Sequence, residues 1–269
     1  MQARAALASV LAVVLVLSGC AQPDSTVHAA GGPQPVESPT PTPTSTPTPK
    51  PTPKPSPTHT KAPKPPLRPL PAKLPTGLRR TTGVRPVALT FDDGPSPAWT
   101  PKVLDQLRAA HVTATFCVVG LEAQRHPDLI RRIVREGHQL CNHSWRHDLD
   151  LARRPEADIR ADLVRTNKAI QTASPGTQVS FYRQPGGRWT PEVLAVAKEL
   201  GMHPLHWAVD PQDWDKPTAD TIARRVHNAA RPGSIVLLHD GGGDRSATLA
   251  ACPRLIADLK HRFGITRLR

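Results

Sequence analysis

Five short segments of this chain carry side chains that could do chemistry together. The first is Thr90-Phe91-Asp92-Asp93-Gly94-Pro95. Two adjacent carboxylates in a tight turn repel each other, and a cation bound by one relieves that repulsion. An ordinary Asp-Asp-Gly-Pro turn is the competing reading, since these residues favour turns. The second is Asn142-His143-Ser144-Trp145-Arg146-His147. Histidines four apart share one face of a helical turn, a spacing that suits Zn²⁺ or a similar ion. Residue 144 is serine, not glutamate, so the zinc-protease HExxH pattern is excluded. An isolated pair at this spacing is often incidental. Joined to Asp93, it makes a set of two histidines and one carboxylate, which leaves coordination positions open for water and substrate. The third segment, Arg183-Gln184-Pro185-Gly186-Gly187, offers either a guanidinium that keeps a neighbouring carboxylate ionised or simply a basic loop. Asp210-Pro211-Gln212-Asp213-Trp214 and Leu237-Leu238-His239-Asp240 complete the group. A histidine leaving an apolar strand is equally at home in a core. His126, His206 and His261 have no such neighbours and read as structural.

Strands are needed to position these segments. Apolar runs of strand length alternate with stretches of helical period. Strands are predicted at 86–91, 113–119, 138–141, 179–182, 204–208, 234–238 and 265–268. Helices are predicted between them at 100–110, 127–136, 155–173, 191–200, 219–229 and 249–260. Thr100-Pro101 supplies a cap and a first-turn proline, and Gly137 a stop. Strictly alternating elements imply parallel strands joined by right-handed crossovers. Seven strands are one unit short of a (β/α)8 barrel, a fold in which the chemistry lies at the C-terminal ends of the strands. All five polar segments follow a predicted strand.

The rest of the chain is of another kind. Of 269 residues, 32 are proline, and 17 of these fall between Pro33 and Pro75. Proline fixes φ and removes a donor, so this stretch forms neither helix nor central strand. As polyproline II at ~3.1 Å per residue it would reach on the order of 130 Å. It reads as a spacer, with a motif for a polyproline-binding partner as the second reading. Lys and Arg total 35 against 22 Asp and Glu, a net charge of +13, and +7 of it lies in residues 1–80. Such an arm suits an anionic surface. At the N-terminus, Arg4 precedes an apolar run from Ala5 to Leu17, too short to span a bilayer and typical of an export signal. Leu17-Ser18-Gly19-Cys20 resembles a bacterial lipobox with Cys20 as the lipidated residue; a plain secretory signal is the alternative. Export argues against nucleic acid as a partner. The expected organisation is a signal at 1–20, a linker at 21–82 and one domain at 83–269, long enough to bury a core. A polytopic membrane protein is excluded by the lack of several apolar runs of ~20 residues.

Cys117, Cys141 and Cys252 form no CxxC pattern, so a cysteine metal site is not expected. Cys117 and Cys141 lie in successive predicted strands, and a disulfide can form outside the cytoplasm if those strands pair.

In their order, the five segments resemble the polysaccharide deacetylases of the NodB homology family, carbohydrate esterase family four, over residues 83–269. The TFDDGP hexapeptide and the HSxxH pair are its most specific marks. The resemblance implies a distorted (β/α)7 barrel. It implies Asp92 as catalytic base, Asp93, His143 and His147 as ligands of a divalent metal, and Arg183 as the group orienting Asp92. It further implies that the Gly186 amide helps hold the oxyanion and that Asp213 sets the charge of His239, the general acid. Trp214 and Leu237 would line the acetyl methyl pocket. Two positions depart from the family: Asp148, often proline, and Gly186, often aromatic. The expected cofactor is Zn²⁺, with Co²⁺, Ni²⁺ or Mn²⁺ as alternatives. The expected enzyme is a monomer, lipid-anchored on the outer face of the cytoplasmic membrane, removing N-acetyl groups from cell-wall N-acetylglucosamine, with peptidoglycan as the leading substrate. Chitooligosaccharides and O-acetylated xylan are the alternatives, and a wall-binding lipoprotein with a vestigial site is the non-enzymatic one.

Overall fold

The computed structural model describes residues 66–269. The expected export signal, Cys20 and most of the proline-rich arm lie outside them. Six parallel strands form one curled sheet in the order β5-β4-β3-β2-β1-β6. They are β1 (Ala88–Asp92), β2 (Thr115–Val118), β3 (Gln139–Asn142), β4 (Phe181–Tyr182), β5 (His203–Pro204) and β6 (Ile235–His239). The helices are α1 (Thr100–Ala109), α2 (Gly120–Arg125), α3 (Pro127–Arg135), α4 (Glu156–Ala173), α5 (Pro191–Glu199), α6 (Ala219–Ala229) and α7 (Ser246–Arg262). Prolines open α1, α3 and α5, where a missing N–H costs nothing. Thr190 and Thr218 cap α5 and α6 by accepting from Val193 N and Thr221 N.

Four elements differ from the reading of the sequence: α2 is an additional helix, β4 keeps two of the four residues expected at 179–182, and the fifth and seventh strands are cut short. The seventh strand is reduced to one bridge between Ile265 and Val87. The fifth is cut to two residues because the chain turns away after Pro204: Ala208 N and Val209 N both donate to Ile235 O, and Leu237 N donates to Val209 O. Residues 205–209 thus cross from β4 to β6 and close the barrel through isolated bridges rather than a ladder, which is its distortion.

Alternation along the strands sorts the side chains into two sets. Leu89, Phe91, Phe116, Leu140 and Leu238 face the helices in the larger core. Ala88, Cys117, Cys141, Phe181, Leu205, Ile235 and Leu268 fill the barrel interior. The interior set turns polar toward the C-terminal ends of the strands, where Asp92, Arg183 and His239 continue the same alternation. Cys117 and Cys141 are register partners with Cα atoms 4.1 Å apart and form the disulfide that the sequence left open. It lies level with the polar residues in the strand register, since Asp92 pairs with Cys117 on one side and His239 on the other.

The packed body starts before residue 83. Arg68 N donates to Arg153 O, Arg79 N to Pro204 O and Thr82 N to Gly233 O. The last part of the expected linker is therefore tied to the barrel.

Candidate active site

The turn after β1 separates the two carboxylates. Asp93 has φ +74°, so its side chain leaves in a different direction from that of Asp92. The strain of a left-handed non-glycine residue is typical of a functional turn. Asp92 is almost fully buried, and its Oδ1 accepts from Arg183 Nη1 at 2.7 Å. Arg183 is itself fully buried and also donates to Thr90 Oγ1 at 2.8 Å and to His206 O at 3.2 Å. A buried guanidinium with that many acceptors holds Asp92 in one orientation and leaves Oδ2 facing the site.

Asp93 meets the two histidines. Its Oδ1 lies 3.4 Å from His143 Nε2 and 3.3 Å from His147 Nε2. One ligand atom from each of the three lies within 4.8 Å of the others. The histidines converge on a tight turn, not on the helical turn that their spacing suggests, because Ser144 and His147 have φ +64° and +55°. His143 Nδ1 lies 2.7 Å from Arg183 O. A carbonyl can only accept, so Nδ1 carries the proton and Nε2 presents its lone pair.

The charges suit a cation. Burial disfavours ionisation of Asp93, but the neighbouring histidines outweigh it and hold its pKa well below the usual carboxylate range. Burial and His143 lower the pKa of His147 against the opposing pull of Asp93. Burial also lowers that of His143, but Asp92 and Asp93 more than reverse this. Asp93 Oδ1 is buried with no hydrogen-bond partner in the protein. An ionised, unpartnered carboxylate oxygen facing two imidazole nitrogens is the donor set expected for a divalent ion such as zinc.

Across the cavity, His239 Nδ1 lies 2.7 Å from Asp213 Oδ1, and His239 N donates to Asp213 Oδ2 at 2.9 Å. Thr248 Oγ1 donates to the same Oδ2 at 2.8 Å. Burial would lower the His239 pKa, but Asp213 reverses this and pushes it up to about 9. The imidazole thus stays protonated at neutral pH.

A cavity of about 470 Å³ joins the two flanks. Trp214 and Leu237 line it, and so do Trp207, Leu149 and Arg188, which reading the sequence did not single out. Gly186 lies on its rim with φ +61°, and a Cβ there would stand 2.9 Å from Leu149 Cδ2. Leu149 occupies the space a side chain at 186 would take. Asp148 closes its own turn by accepting from Asp150 N at 3.0 Å and pairs with Arg154.

Reading the sequence also placed Asp240 in a segment without giving it a role, and missed Thr248. Asp240 follows His239 directly, the one signal that could have drawn notice. Burial, with Asp92 and Asp93 adding to it, pushes its pKa up to about 7 against the hydrogen bond from Thr100. Its carboxyl fills the space beside Gly94, and its N donates to Asp92 O at 3.1 Å. Next to it, a Cβ on Gly242 would overlap Asp93 Oδ2. The segment after β6 therefore backs the carboxylate turn. Thr248 reaches Asp213 from the first turn of α7, a long-range contact without any local sequence mark.

The family model described as polysaccharide deacetylase matches residues 79–205. A chitooligosaccharide deacetylase from Sinorhizobium fredii is 42% identical over 199 residues, covering 70% of this chain and 92% of that protein. A peptidoglycan-N-acetylglucosamine deacetylase from Bacillus cereus is 38% identical over 176 residues, covering 65% and 81%. Among solved structures, a peptidoglycan N-acetylglucosamine deacetylase in complex with a naphthalenyl N-oxidanyl-benzamide superposes with a TM-score of 0.67 at 33% identity, covering 71% of this chain and 89% of that one.

Proposed function

The chain belongs to the polysaccharide deacetylase family, carbohydrate esterase family four, and from that premise we propose that it removes N-acetyl groups from N-acetylglucosamine units of a cell-wall glycan, peptidoglycan first. The observation that carries this reading is the meeting of three groups around one cavity: Asp93 with His143 and His147, Asp92 with Arg183, and His239 with Asp213.

A divalent cation held by Asp93, His143 and His147, with Zn²⁺ preferred by the donor set, would polarise the acetyl carbonyl and acidify a water. Arg183 pairs with Asp92 Oδ1 and aligns the carboxyl, so Asp92 Oδ2 takes a proton from water as its oxygen adds to the acetyl carbon. The Gly186 amide contributes a donor to the oxygen that gains charge. Such a donor is worth roughly 3–4 kcal/mol. The amine leaves only when protonated, and His239 Nε2 supplies that proton while Asp213 stabilises the imidazolium. Trp214 and Leu237 enclose the methyl group. The products are acetate and a free amino sugar.

The basic arm and the lipobox-like segment ending at Cys20 support a lipoprotein tethered outside the cytoplasmic membrane and facing the wall. Mass analysis of the mature N-terminal peptide tests that anchor. Acetate release measured side by side on purified peptidoglycan, chitin oligomers and acetylated xylan tests the substrate. Peptidoglycan is expected to respond most strongly. A response from xylan alone would move the protein to ester hydrolysis.

A further inference from the structure

Behind the turn that carries the two histidines, α2, α3 and α4 enclose a surface cleft of about 580 Å³. Arg131, Arg165, Lys168 and Trp145 line it, and no carboxylate does. Arg125, Arg132 and Arg160, on the same three helices, each pair with an acidic side chain. Among the described residues, Arg131, Arg165 and Lys168 have no carboxylate within 4 Å; the nearby Asp162 is engaged by Trp145 N at 2.7 Å. Arg165 and Lys168 stand three apart on α4, where like charges oppose each other. The Arg165 guanidinium is stacked 3.8 Å from the centroid of the Trp145 ring, which fixes its plane and leaves its N–H edges free to donate. Trp145 is 5% exposed, and its buried indole N–H has no acceptor. Three uncompensated cations in one concavity, one of them stacked on Trp145, make a site for an anion with several acceptor oxygens.

We propose that this cleft binds the phosphate groups of an anionic cell-envelope polymer, and so docks the enzyme on its surroundings separately from the catalytic cavity. A concave site between helices fits a polymer strand better than a flat bilayer. The backbone of the histidine turn is held independently of the cleft side chains, by Gly120 N and Leu121 N donating to Ser144 O and Trp145 O.

The test is hydrogen exchange on the full-length, metal-loaded protein with and without poly(glycerol phosphate) oligomers. The basic arm binds polyanions too, so the localised readout is the decisive one. Slower exchange is expected in residues 120–135 and 156–173, and its loss is expected in the triple variant Arg131→Gln, Arg165→Gln, Lys168→Gln. Affinity should drop about tenfold at low salt and less at high salt, as for charge-assisted bonds open to screening. Release of acetate from a short neutral chitin oligomer should not change. A companion triple variant with lysine at 131 and 165 and arginine at 168 keeps the charge and should retain most binding, which separates charge from folding. Protection confined to other segments, or equal affinity of the glutamine variant, overturns the proposal. So does protection by anionic phospholipid vesicles with none from the polymer, which would assign the cleft to headgroups.

Discussion

The two flanks of the catalytic cavity are built from similar residue types and end in opposite states. On the acid flank, Asp213 receives Nδ1 and N of His239 and Oγ1 of Thr248, so its oxygens are satisfied within the protein. On the metal flank, Asp93 Oδ1 is buried without a hydrogen bond, two imidazoles approach it at 3.3–3.4 Å, and the backbone is left-handed at Asp93, Ser144 and His147. A carboxylate–histidine pair joined at 2.7 Å is a proton device, complete as it stands. A carboxylate and two histidines that converge without a hydrogen bond among them have room for a cation, and the fold sustains the left-handed backbone that brings them there. Asp92 sits between the flanks, hydrogen-bonded to a buried arginine, with its Oδ2 3.6 Å from His143 Nε2.

Breaking the metal flank should have the largest effect. Asp93→Ala and His147→Ala are expected to lose bound metal and turnover together, by roughly 10³-fold or more, because removing a ligand exceeds the ~10–100-fold cost of removing a group that only supports one. Metal content by plasma mass spectrometry beside acetate release checks this, and metal retained at full stoichiometry would sink the ligand assignment. Asp92→Asn should keep the metal and lose about 10²–10⁴-fold in turnover, the range of a general base; an unimpaired variant would give that role to another group. On the acid flank the effect is one of pH. The His239 pKa is raised from 6.5 to about 9, so activity that needs the imidazolium should fall as pH rises through about 9. The linked stability is fully present below 6.5 and is lost across the same interval. In Asp213→Asn the alkaline limb of the rate profile should move down by at least about one unit. An unmoved limb would mean that His239 is not the titrating acid. The smallest change is expected from Thr248→Val, where Asp213 keeps both bonds to His239; a loss of about 1 kcal/mol in transition-state stabilisation, under tenfold in turnover, matches one neutral hydrogen bond.

Much of this was legible in the chain. The strands carrying the site are buried on both faces and read as continuous apolar runs, so β1, β2 and β6 were found within two or three residues of their ends. The strand at 204–208 and the last one at 265–268 were overread. Both have strand composition, but whether such a run joins a ladder depends on a neighbour in register, and there the neighbour offers single bridges. The helical geometry expected for His143 and His147 was misjudged for a related reason. Spacing of four suits one face of a helix, but left-handed residues at 144 and 147 bring the rings to a centroid separation of 5.0 Å by another route.

Sequence alone was enough for the chemical identity of the site, because a carboxylate pair, two histidines, an arginine and a further Asp and His are recognisable as types and in order. It also sufficed for the alternation that brings them to one end of a parallel sheet. Tertiary structure decided what each group does. Which carboxylate meets the arginine and which meets the histidines follows from one positive φ at Asp93. That Asp213 is satisfied depends on Thr248, thirty-five positions away. That Gly186 leaves no gap depends on Leu149. Such pairings are contacts between distant parts of the chain, and their energies depend on distance and burial, which exist only once the barrel has closed.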